Sequence, residues 1–243
     1  MPSLIRGRQT AVLALATAAL GGTVLAGCTT PPPGGTPPST TTPPTTAPSP
    51  GNPPAGPCAP VEVLAARGTT EPQSGSFIMG GLSNGIAAQT GGRVYQVRYP
   101  ATQDFANGPN QGATDALAHL QAQATACPGT KFVLNGYSQG AMVMVTLMQR
   151  LPADLQPRVV AAVLYGDPYY KSASPSAAGT AKGSANGIVP GLGVPAAFAG
   201  RTIDFCNTGD PVCGAGNNIS AHLGYGVNQA EGIAFAVKQV QQS

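Results

Sequence analysis

The sequence predicts an α/β fold in which helices cover both faces of a mainly parallel sheet, a three-layer αβα sandwich. Short apolar runs rich in β-branched residues alternate along the chain with stretches whose apolar residues recur at spacings of three and four. Parallel strands need a crossover between them, so this alternation is typical of a parallel sheet covered by helices. The segment that carries the pattern, residues 58–243, is long enough for one domain with its own core.

The predicted elements follow one another in a regular order. Five strand-like runs are present: VEVLAA from Val61, RVYQVRY from Arg93, KFVLNG from Lys131, VVAAVLYG from Val159 and RTIDFC from Arg201. Helix-like patterns cover residues 75–89, 113–126, 139–151 and 228–242. Residues 171–200 are poor in charge and rich in small residues, and we interpret them as one long connection.

Residues 1–27 have the pattern of a lipoprotein-type signal peptide. Arg6 and Arg8 precede an apolar run that is shorter than a typical membrane span, and the run ends in LAGC. Small residues before a cysteine at this point resemble a lipobox, in which Cys28 becomes the lipidated first residue of the mature chain. The alternative is an ordinary cleavable signal in which Cys28 has no role. Both predict export, either as a cell-envelope lipoprotein anchored to the membrane through lipidated Cys28 or as a secreted protein.

Residues 28–57 form a predicted linker rich in proline and threonine. They contain almost nothing that a core would bury, and their prolines favour extended polyproline II structure. The domain that carries the function is therefore predicted to be residues 58–243.

Five cysteines constrain an exported chain, since an odd number leaves one without a partner. Setting Cys28 aside leaves four, which can pair in three ways, and we favour Cys58 with Cys127 and Cys206 with Cys213. Disulfides are preferred over a metal site because the chain has neither a C-x-x-C spacing nor a cluster of histidines. No metal ligand is predicted.

The charge balance excludes one broad class of partner. Twelve basic and nine acidic residues give a formal charge of +3, and loss of residues 1–27 leaves ten basic against nine acidic residues, a charge of +1. No basic stripe with interleaved aromatic residues is present either. The sequence therefore predicts no nucleic-acid partner.

The motif Gly136-Tyr137-Ser138-Gln139-Gly140 matches G-x-S-x-G between a predicted strand and a predicted helix. In this context the serine is expected on a sharp turn, with its hydroxyl projecting from the carboxyl edge of the sheet as a nucleophile. The amide of Gln139, at the start of the helix, would then donate to a developing oxyanion. The alternative is that Ser138 only caps the helix.

A nucleophilic serine needs a base, and the chain has two histidines. His222 lies downstream of Ser138, in a stretch that we interpret as a loop before the last helix, and fits the chain order serine, acid, histidine. His119 lies upstream within a helical pattern and is expected to be an ordinary helical residue. His222 is therefore the favoured base.

The acid that orients this base should lie between Ser138 and His222 in the chain. Asp210 is favoured because it lies in CNTGDPVC, a loop that the second disulfide would close and hold. The remaining candidates are Asp167, which ends a strand and is the main competitor, Asp154, which follows a helix, and Asp204, which lies within a strand pattern.

A second oxyanion donor is expected from the loop after the first strand. The sequence there is ARGTTEPQSG, and the amide of Gly68 or Thr69 is a candidate, with the Thr69 hydroxyl as a further donor. A polar turn without any such role is the alternative.

Four pieces, ARGTTEP, GYSQGA, CNTGDPVC and HLGY, together resemble the cutinase family of serine esterases, which includes actinobacterial cutinase-like proteins and the related acetylxylan esterases. The resemblance spans about residues 58–242. It implies a lidless α/β-hydrolase with a five-stranded parallel sheet and a catalytic triad of Ser138, Asp210 and His222. It also implies an oxyanion hole of Gln139 and Thr69, and the two disulfides favoured above. Many fungal members have serine where this chain has Thr69.

The function predicted on this basis is hydrolysis of a carboxylic ester through an acyl-enzyme, without a cofactor, by a monomer. The ester substrates left open are cutin-like polyesters, short- to medium-chain acyl esters, glycerolipids and acetylated polysaccharide. An acetylxylan esterase or a lipid acyltransferase is the enzymatic alternative, and a surface binding module that keeps the fold is the non-enzymatic one. The aliphatic residues 188–198 are expected either to line an acyl groove or to form a plain surface loop.

Overall fold

The computed structural model describes residues 57–243, which form a single parallel sheet with helices on both sides. The predicted signal peptide, Cys28 and the predicted linker up to residue 56 lie outside the described residues. The sheet has six strands in the order β2-β1-β3-β4-β6-β5, and every pair is parallel. The strands are β1 (Val61–Ala66), β2 (Arg93–Gln96), β3 (Lys131–Tyr137), β4 (Val159–Tyr165), β5 (Ala177–Ala178) and β6 (Thr202–Phe205).

The helices divide between the two faces of the sheet, as the three-layer prediction requires. Helices α2 and α3 pack through residues such as Leu120 and Leu147 on the face that carries Leu134 of β3. Helices α1 and α6 pack through residues such as Leu82 and Ala236 on the opposite face. The helices are α1 (Gly80–Thr90), α2 (Gly108–Ala126), α3 (Gln139–Arg150), α4 (Ala196–Ala199), α5 (Ile219–Leu223) and α6 (Gln229–Gln242). None of those within residues 57–243 is both long and apolar enough to cross a bilayer.

The expected number of five strands is wrong by one. The sixth strand, β5, is only two residues long and lies in the segment interpreted as one long connection. It pairs with the edge of β6, where the Asp204 amide donates to the Ser176 carbonyl at 2.8 Å and the Cys206 amide to the Ala178 carbonyl at 3.1 Å. Two alanines at a sheet edge have no apolar alternation, so the sequence contains no pattern that would predict this strand.

The first helix begins five residues later than its apolar pattern suggests. The Glu71 carboxylate accepts a hydrogen bond from the amide of Phe77 at 2.8 Å, and the hydroxyl of Ser76 accepts from the amide of Met79 at 3.0 Å. These bonds hold residues 76–79 in turns, so that the regular helix starts at Gly80.

Both predicted disulfides are present. Cys58, just before β1, is bonded to Cys127 at the end of α2, and Cys206 is bonded to Cys213 in the loop that follows β6. The first joins residues 69 apart and the second residues only 7 apart. The first disulfide therefore ties distant parts of the domain together, whereas the second shapes one loop.

The carboxyl ends of the parallel strands define where a site can form. β1, β3, β4 and β6 all end at the same edge of the sheet, at Ala66, Tyr137, Tyr165 and Phe205. Loops that follow these strands therefore bring residues from distant parts of the chain together, which is the usual location of sites in open parallel sheets.

Candidate active site

Ser138 lies on the sharp turn between β3 and α3 in a strained backbone conformation. Its φ of 54° and ψ of −117° are rarely adopted by a residue with a side chain. The conformation is held by hydrogen bonds at both ends, because the Ser138 amide donates to the Tyr165 carbonyl at 2.9 Å and the Ser138 carbonyl accepts from the Ala141 amide at 2.9 Å. The Ser138 hydroxyl makes no capping bond to α3.

The two glycines of the motif are required by close packing around this turn. A Cβ at Gly136 would lie 2.5 Å from the Gly140 carbonyl oxygen, and one at Gly140 would lie 1.8 Å from the Ala66 carbonyl oxygen. Helix α3 therefore starts directly against the end of β1. This contact brings the helix N-terminus and the loop after β1 to the same place.

His222 faces Ser138, with its Nε2 atom 3.1 Å from the serine Oγ. It lies on the short helix α5, so the prediction of a loop at this point was wrong. The helix forms because the Asn218 side chain accepts a hydrogen bond from the Ser220 amide at 3.0 Å and so caps its first turn. Asparagine is a residue type that favours such a cap, but the helix is too short for an apolar pattern to reveal it.

Asp210 is fully buried and lies behind His222. The Oδ2 atom of its carboxylate is 2.9 Å from His222 Nδ1, and Oδ1 accepts from the Val212 amide at 2.7 Å. Burial acts to raise the pKa of Asp210, but hydrogen bonds from His222, Tyr225 and the Val212 amide outweigh it, and the pKa is lowered below its ordinary value. The structure therefore favours an ionised carboxylate at the imidazole nitrogen that faces away from Ser138.

Two neighbours fix the position of the His222 imidazole. The Tyr137 hydroxyl donates to the His222 carbonyl at 3.1 Å, and the Tyr137 ring centre is 5.1 Å from that of the imidazole. Gly166, at the end of β4, leaves room for the ring, since a Cβ there would lie 2.8 Å from His222 Cε1.

The candidate oxyanion donors are the amides of Thr69 and Gln139. Gln139 is the first residue of α3, where an amide has no acceptor within the helix. Within residues 57–243, neither amide donates to a protein acceptor, whereas the amide of Gly68 donates to the Glu71 carboxylate at 2.7 Å. Of the two amides considered in the loop after β1, Thr69 is therefore the one left available.

Arg67 holds this loop, although sequence reasoning did not single it out. Its buried guanidinium donates to the carbonyl oxygens of Glu71 at 2.7 Å and Tyr99 at 2.6 Å, and lies 4.8 Å from the centre of the Tyr99 ring. The feature of the sequence that could have indicated this role is the position of Arg67 directly after an apolar strand.

The Gln139 side chain was also not predicted to have a role. It is completely buried and donates to the Thr102 carbonyl at 2.9 Å, which ties the start of α3 to the loop after β2. The loops after β1 and β2 are thus both held against the serine turn.

The other titratable candidates lie elsewhere. His119 is buried with its Nε2 atom 3.0 Å from the Glu62 carboxylate and its ring stacked on Tyr95, which is an internal hydrogen-bonded contact. Asp154 is exposed. In the part of the chain that the structure describes, no group of three or more metal-ligating side chains is present.

Asp167 and Asp204 form a buried acidic pair. Asp167 accepts a hydrogen bond from the Tyr169 amide at 2.9 Å, and one oxygen of each carboxylate has no hydrogen-bond partner among the described residues. Burial raises the pKa of Asp167 to about 7, and burial together with the Asp167 charge raises that of Asp204 well above its ordinary value. Among the described residues, the carboxylate that contacts His222 Nδ1 is that of Asp210 and not that of Asp167 or Asp204.

The connections that leave the carboxyl ends of the strands carry exposed apolar side chains, which we call the apolar rim. Seven large apolar side chains are exposed within residues 57–243, and all seven lie in segments that leave the carboxyl end of a strand. They are Phe77, Phe105, Ile188, Leu192, Ile219, Leu223 and Val227. Of the aliphatic segment 188–198, Ile188 and Leu192 belong to this rim, whereas Phe198 is buried in the core.

Comparison with known proteins gives a consistent result. The sequence profile of the family described as Cutinase matches residues 57–240. Carboxylesterase Culp1 of Mycobacterium tuberculosis is 34% identical over 174 residues, which cover 70% of this chain and 76% of the relative. Phospholipase Culp4 of the same organism is 36% identical over 180 residues, which cover 69% of this chain and 73% of the relative.

A solved structure supports the same conclusion at the level of the fold. The catalytic core domain of acetyl xylan esterase from Trichoderma reesei superposes with a TM-score of 0.67 at 27% identity. The match covers 75% of this chain and 99% of that one. The predicted α/β-hydrolase fold is confirmed.

Proposed function

The chain belongs to the cutinase family and is a carboxylic ester hydrolase, and from this premise we propose that it cleaves acyl esters through an acyl-enzyme on Ser138. The observation that carries the proposal is the position of His222. Its two ring nitrogens lie 3.1 Å from the Ser138 hydroxyl and 2.9 Å from the Asp210 carboxylate. A base between a nucleophile and an orienting acid is the arrangement that serine hydrolysis requires.

In the proposed mechanism, the Ser138 hydroxyl attacks the ester carbonyl while His222 Nε2 takes its proton. Asp210 holds the imidazole in the tautomer that leaves Nε2 free to accept, and stabilises the imidazolium that forms. The imidazolium then protonates the departing alcohol. Water, activated by the same histidine, attacks the acyl group and releases the acid and free Ser138.

The tetrahedral intermediate carries a negative oxygen that needs donors. We assign this role to the amides of Gln139 and Thr69, which have no protein acceptor within the described residues. The Gln139 amide also lies at the N-terminus of a helix of 12 residues, where the helix dipole favours negative charge.

The apolar rim supports acyl esters rather than charged substrates. Leu223 follows His222 directly and is 54% exposed, and Ile219 on the same short helix is 58% exposed. Exposed apolar side chains on the helix that carries the proposed base are suited to contact a hydrocarbon chain or a polyester surface. The proposed substrates are therefore medium-chain acyl esters and cutin-like polyesters.

A second candidate, an acetyl esterase acting on acetylated sugar, is favoured by one observation. The acetyl xylan esterase core superposes over 99% of its length. The two candidates differ in the acyl chain that the site accepts.

Both disulfides are consistent with an exported protein, since such bonds persist in oxidising compartments. We propose that the chain functions outside the cytoplasm, as a secreted protein or anchored through lipidated Cys28. Mass analysis of the mature N-terminus from an actinobacterial host distinguishes the two forms. A diacylglyceryl group on Cys28 supports the anchor, and cleavage without a lipid contradicts it.

The experiment that tests the function is a series of p-nitrophenyl esters from acetyl to long-chain acyl, with the protein made under oxidising conditions. We expect hydrolysis by the wild type, with a maximum at medium chain length, and loss of at least about a thousandfold in kcat in Ser138→Ala. A maximum at acetyl would favour the second candidate. Equal rates for the wild type and Ser138→Ala on every ester would contradict the proposed function.

A further inference from the structure

One tyrosine hydroxyl is bound to the carboxylate of the proposed triad. Tyr225 is completely buried, and its hydroxyl donates to Asp210 Oδ2 at 2.6 Å. The same oxygen lies 2.9 Å from His222 Nδ1. One carboxylate oxygen is therefore shared between the tyrosine and the proposed base.

The Tyr225 ring is fixed from several sides. It stacks on Tyr165, with ring centres 5.2 Å apart and ring planes 10° from parallel, and meets the His222 ring edge-on at 6.4 Å. Its hydroxyl also accepts from the Asn207 amide at 3.3 Å. The accepted bond orients the hydroxyl so that its proton is available to Asp210.

We propose that Tyr225 is a positioning residue of the esterase site, which orients the Asp210 carboxylate and limits the negative charge that this carboxylate presents to His222. The inference rests on the proposed function. Among the three residues of the proposed triad, the Tyr225 hydroxyl bonds to Asp210 alone.

The sign of its effect follows from the chemistry of the bond. A donor to the ionised carboxylate lowers the pKa of Asp210, and the bond from Tyr225 is one of those responsible for the lowered value. Without the hydroxyl, more of the charge on Oδ2 would face His222 and stabilise the imidazolium. Protonation of the His222–Asp210 pair would then begin at higher pH, and the carboxylate would lose one of its fixed contacts.

Tyr225→Phe removes the hydroxyl and keeps the ring. We expect the acid limb of the kcat/KM profile to move to higher pH by about half a unit or more, and kcat on the plateau to fall about tenfold with little change in KM. A loss in kcat without a matching change in KM indicates an effect on the reaction rather than on substrate binding.

Another tyrosine supplies a matched control. Tyr165→Phe makes the same deletion in the other ring of the stacked pair, where the buried hydroxyl has no partner among the described residues. This control is not expected to move the acid limb.

A measurement without substrate separates this inference from the proposed function. The chain has two histidines, so the ring proton of His222 can be assigned and titrated by NMR in the inactive Ser138→Ala background. We expect the titration midpoint to move to higher pH when Tyr225→Phe is added. Fluorotyrosine at position 225 has a more acidic hydroxyl, which is a stronger donor, and should move the titration midpoint of His222 to lower pH. Because this replacement keeps every contact of Tyr225, it also tests the inference if Tyr225→Phe does not fold.

The outcomes are distinct. Opposite shifts for the two replacements at position 225, with no shift in Tyr165→Phe, support the inference. An unchanged midpoint and acid limb after replacement of Tyr225, or an equal change in Tyr165→Phe, would overturn it. Absence of Ser138-dependent hydrolysis would instead count against the proposed function and leave the NMR result to decide the role of Tyr225.

Discussion

Gly166 lies directly behind the imidazole of His222, and a Cβ at position 166 would come within 2.8 Å of His222 Cε1. The backbone of Gly166 also has a φ of 60°. Two unrelated demands, a left-handed backbone and space for the ring, therefore require glycine at the end of β4.

Gly166→Ala is expected to displace the His222 ring and to lower kcat about a hundredfold, because displacements of about 1 Å at a reacting group cost this much. The left-handed backbone adds a loss of about 1 kcal/mol in the free energy of unfolding. The control is Gly183→Ala, at a φ of 78°, where an added Cβ would have no atom within 4 Å. Steady-state kinetics and urea unfolding should show similar losses of stability in both variants, but a loss of activity in Gly166→Ala alone.

The two disulfides are expected to contribute in different ways. Replacing Cys58 and Cys127 by serine opens a loop of 69 residues, and the unfolding free energy should fall by about 2–4 kcal/mol with kcat unchanged at a temperature where the variant is folded. Replacing Cys206 and Cys213 opens the loop that holds Asp210, and kcat should fall sharply. Equal effects of the two replacements on kcat would contradict the assignment of the second bond to the site.

The buried pair Asp167 and Asp204 predicts a pH dependence of stability. The folded-state pKa of Asp167 is raised to about 7, so the folded chain retains a proton that the unfolded chain releases near pH 4. The contribution of Asp167 to the free energy of unfolding is therefore greatest at acid pH. This contribution decreases as the pH rises to 7, by up to about 1.4 kcal/mol per pH unit.

Asp167→Asn keeps the oxygen that accepts from the Tyr169 amide and removes the titration. Its unfolding free energy, relative to the wild type, should be higher at pH 8 than at pH 5 in urea titrations. The exposed Asp154→Asn is the control and should show no such trend. If the difference in unfolding free energy between Asp167→Asn and the wild type did not vary with pH, the Asp167 carboxyl would not titrate between pH 5 and pH 8.

The apolar rim predicts a dependence on acyl chain length. Leu223→Ser removes a half-exposed apolar side chain beside His222 and should raise KM for medium- and long-chain p-nitrophenyl esters several-fold. The acetyl ester, which is too short to reach far along the rim, is the internal control and should be hydrolysed at an unchanged rate. A proportional loss on all chain lengths would indicate damage to His222 instead.

Much of the layout could be predicted from the sequence because local signals were strong. The runs that form β1, β3 and β4 are mostly apolar, as expected of strands buried on both faces, and the G-x-S-x-G turn is recognisable from its strand and helix. Chain order alone was enough to favour His222 over His119, and the structure brings it, rather than His119, to Ser138.

What could not be predicted depends on contacts between distant residues. β5 has two alanines and no pattern, and α5 is one turn held by a single cap. Arg67 and Tyr225 act through hydrogen bonds to groups 15 to 32 residues away in the chain, which no local motif records. Their partners become visible only when the strands are assembled.

Formation of an acyl-enzyme on Ser138 can be examined by mass spectrometry with a fluorophosphonate, which modifies an activated serine without turnover. We predict a single adduct, mapped to the peptide that carries Ser138, absent in Ser138→Ala and formed far more slowly in His222→Ala. An adduct on a different residue, or none on a folded protein that still hydrolyses p-nitrophenyl esters, would contradict the account.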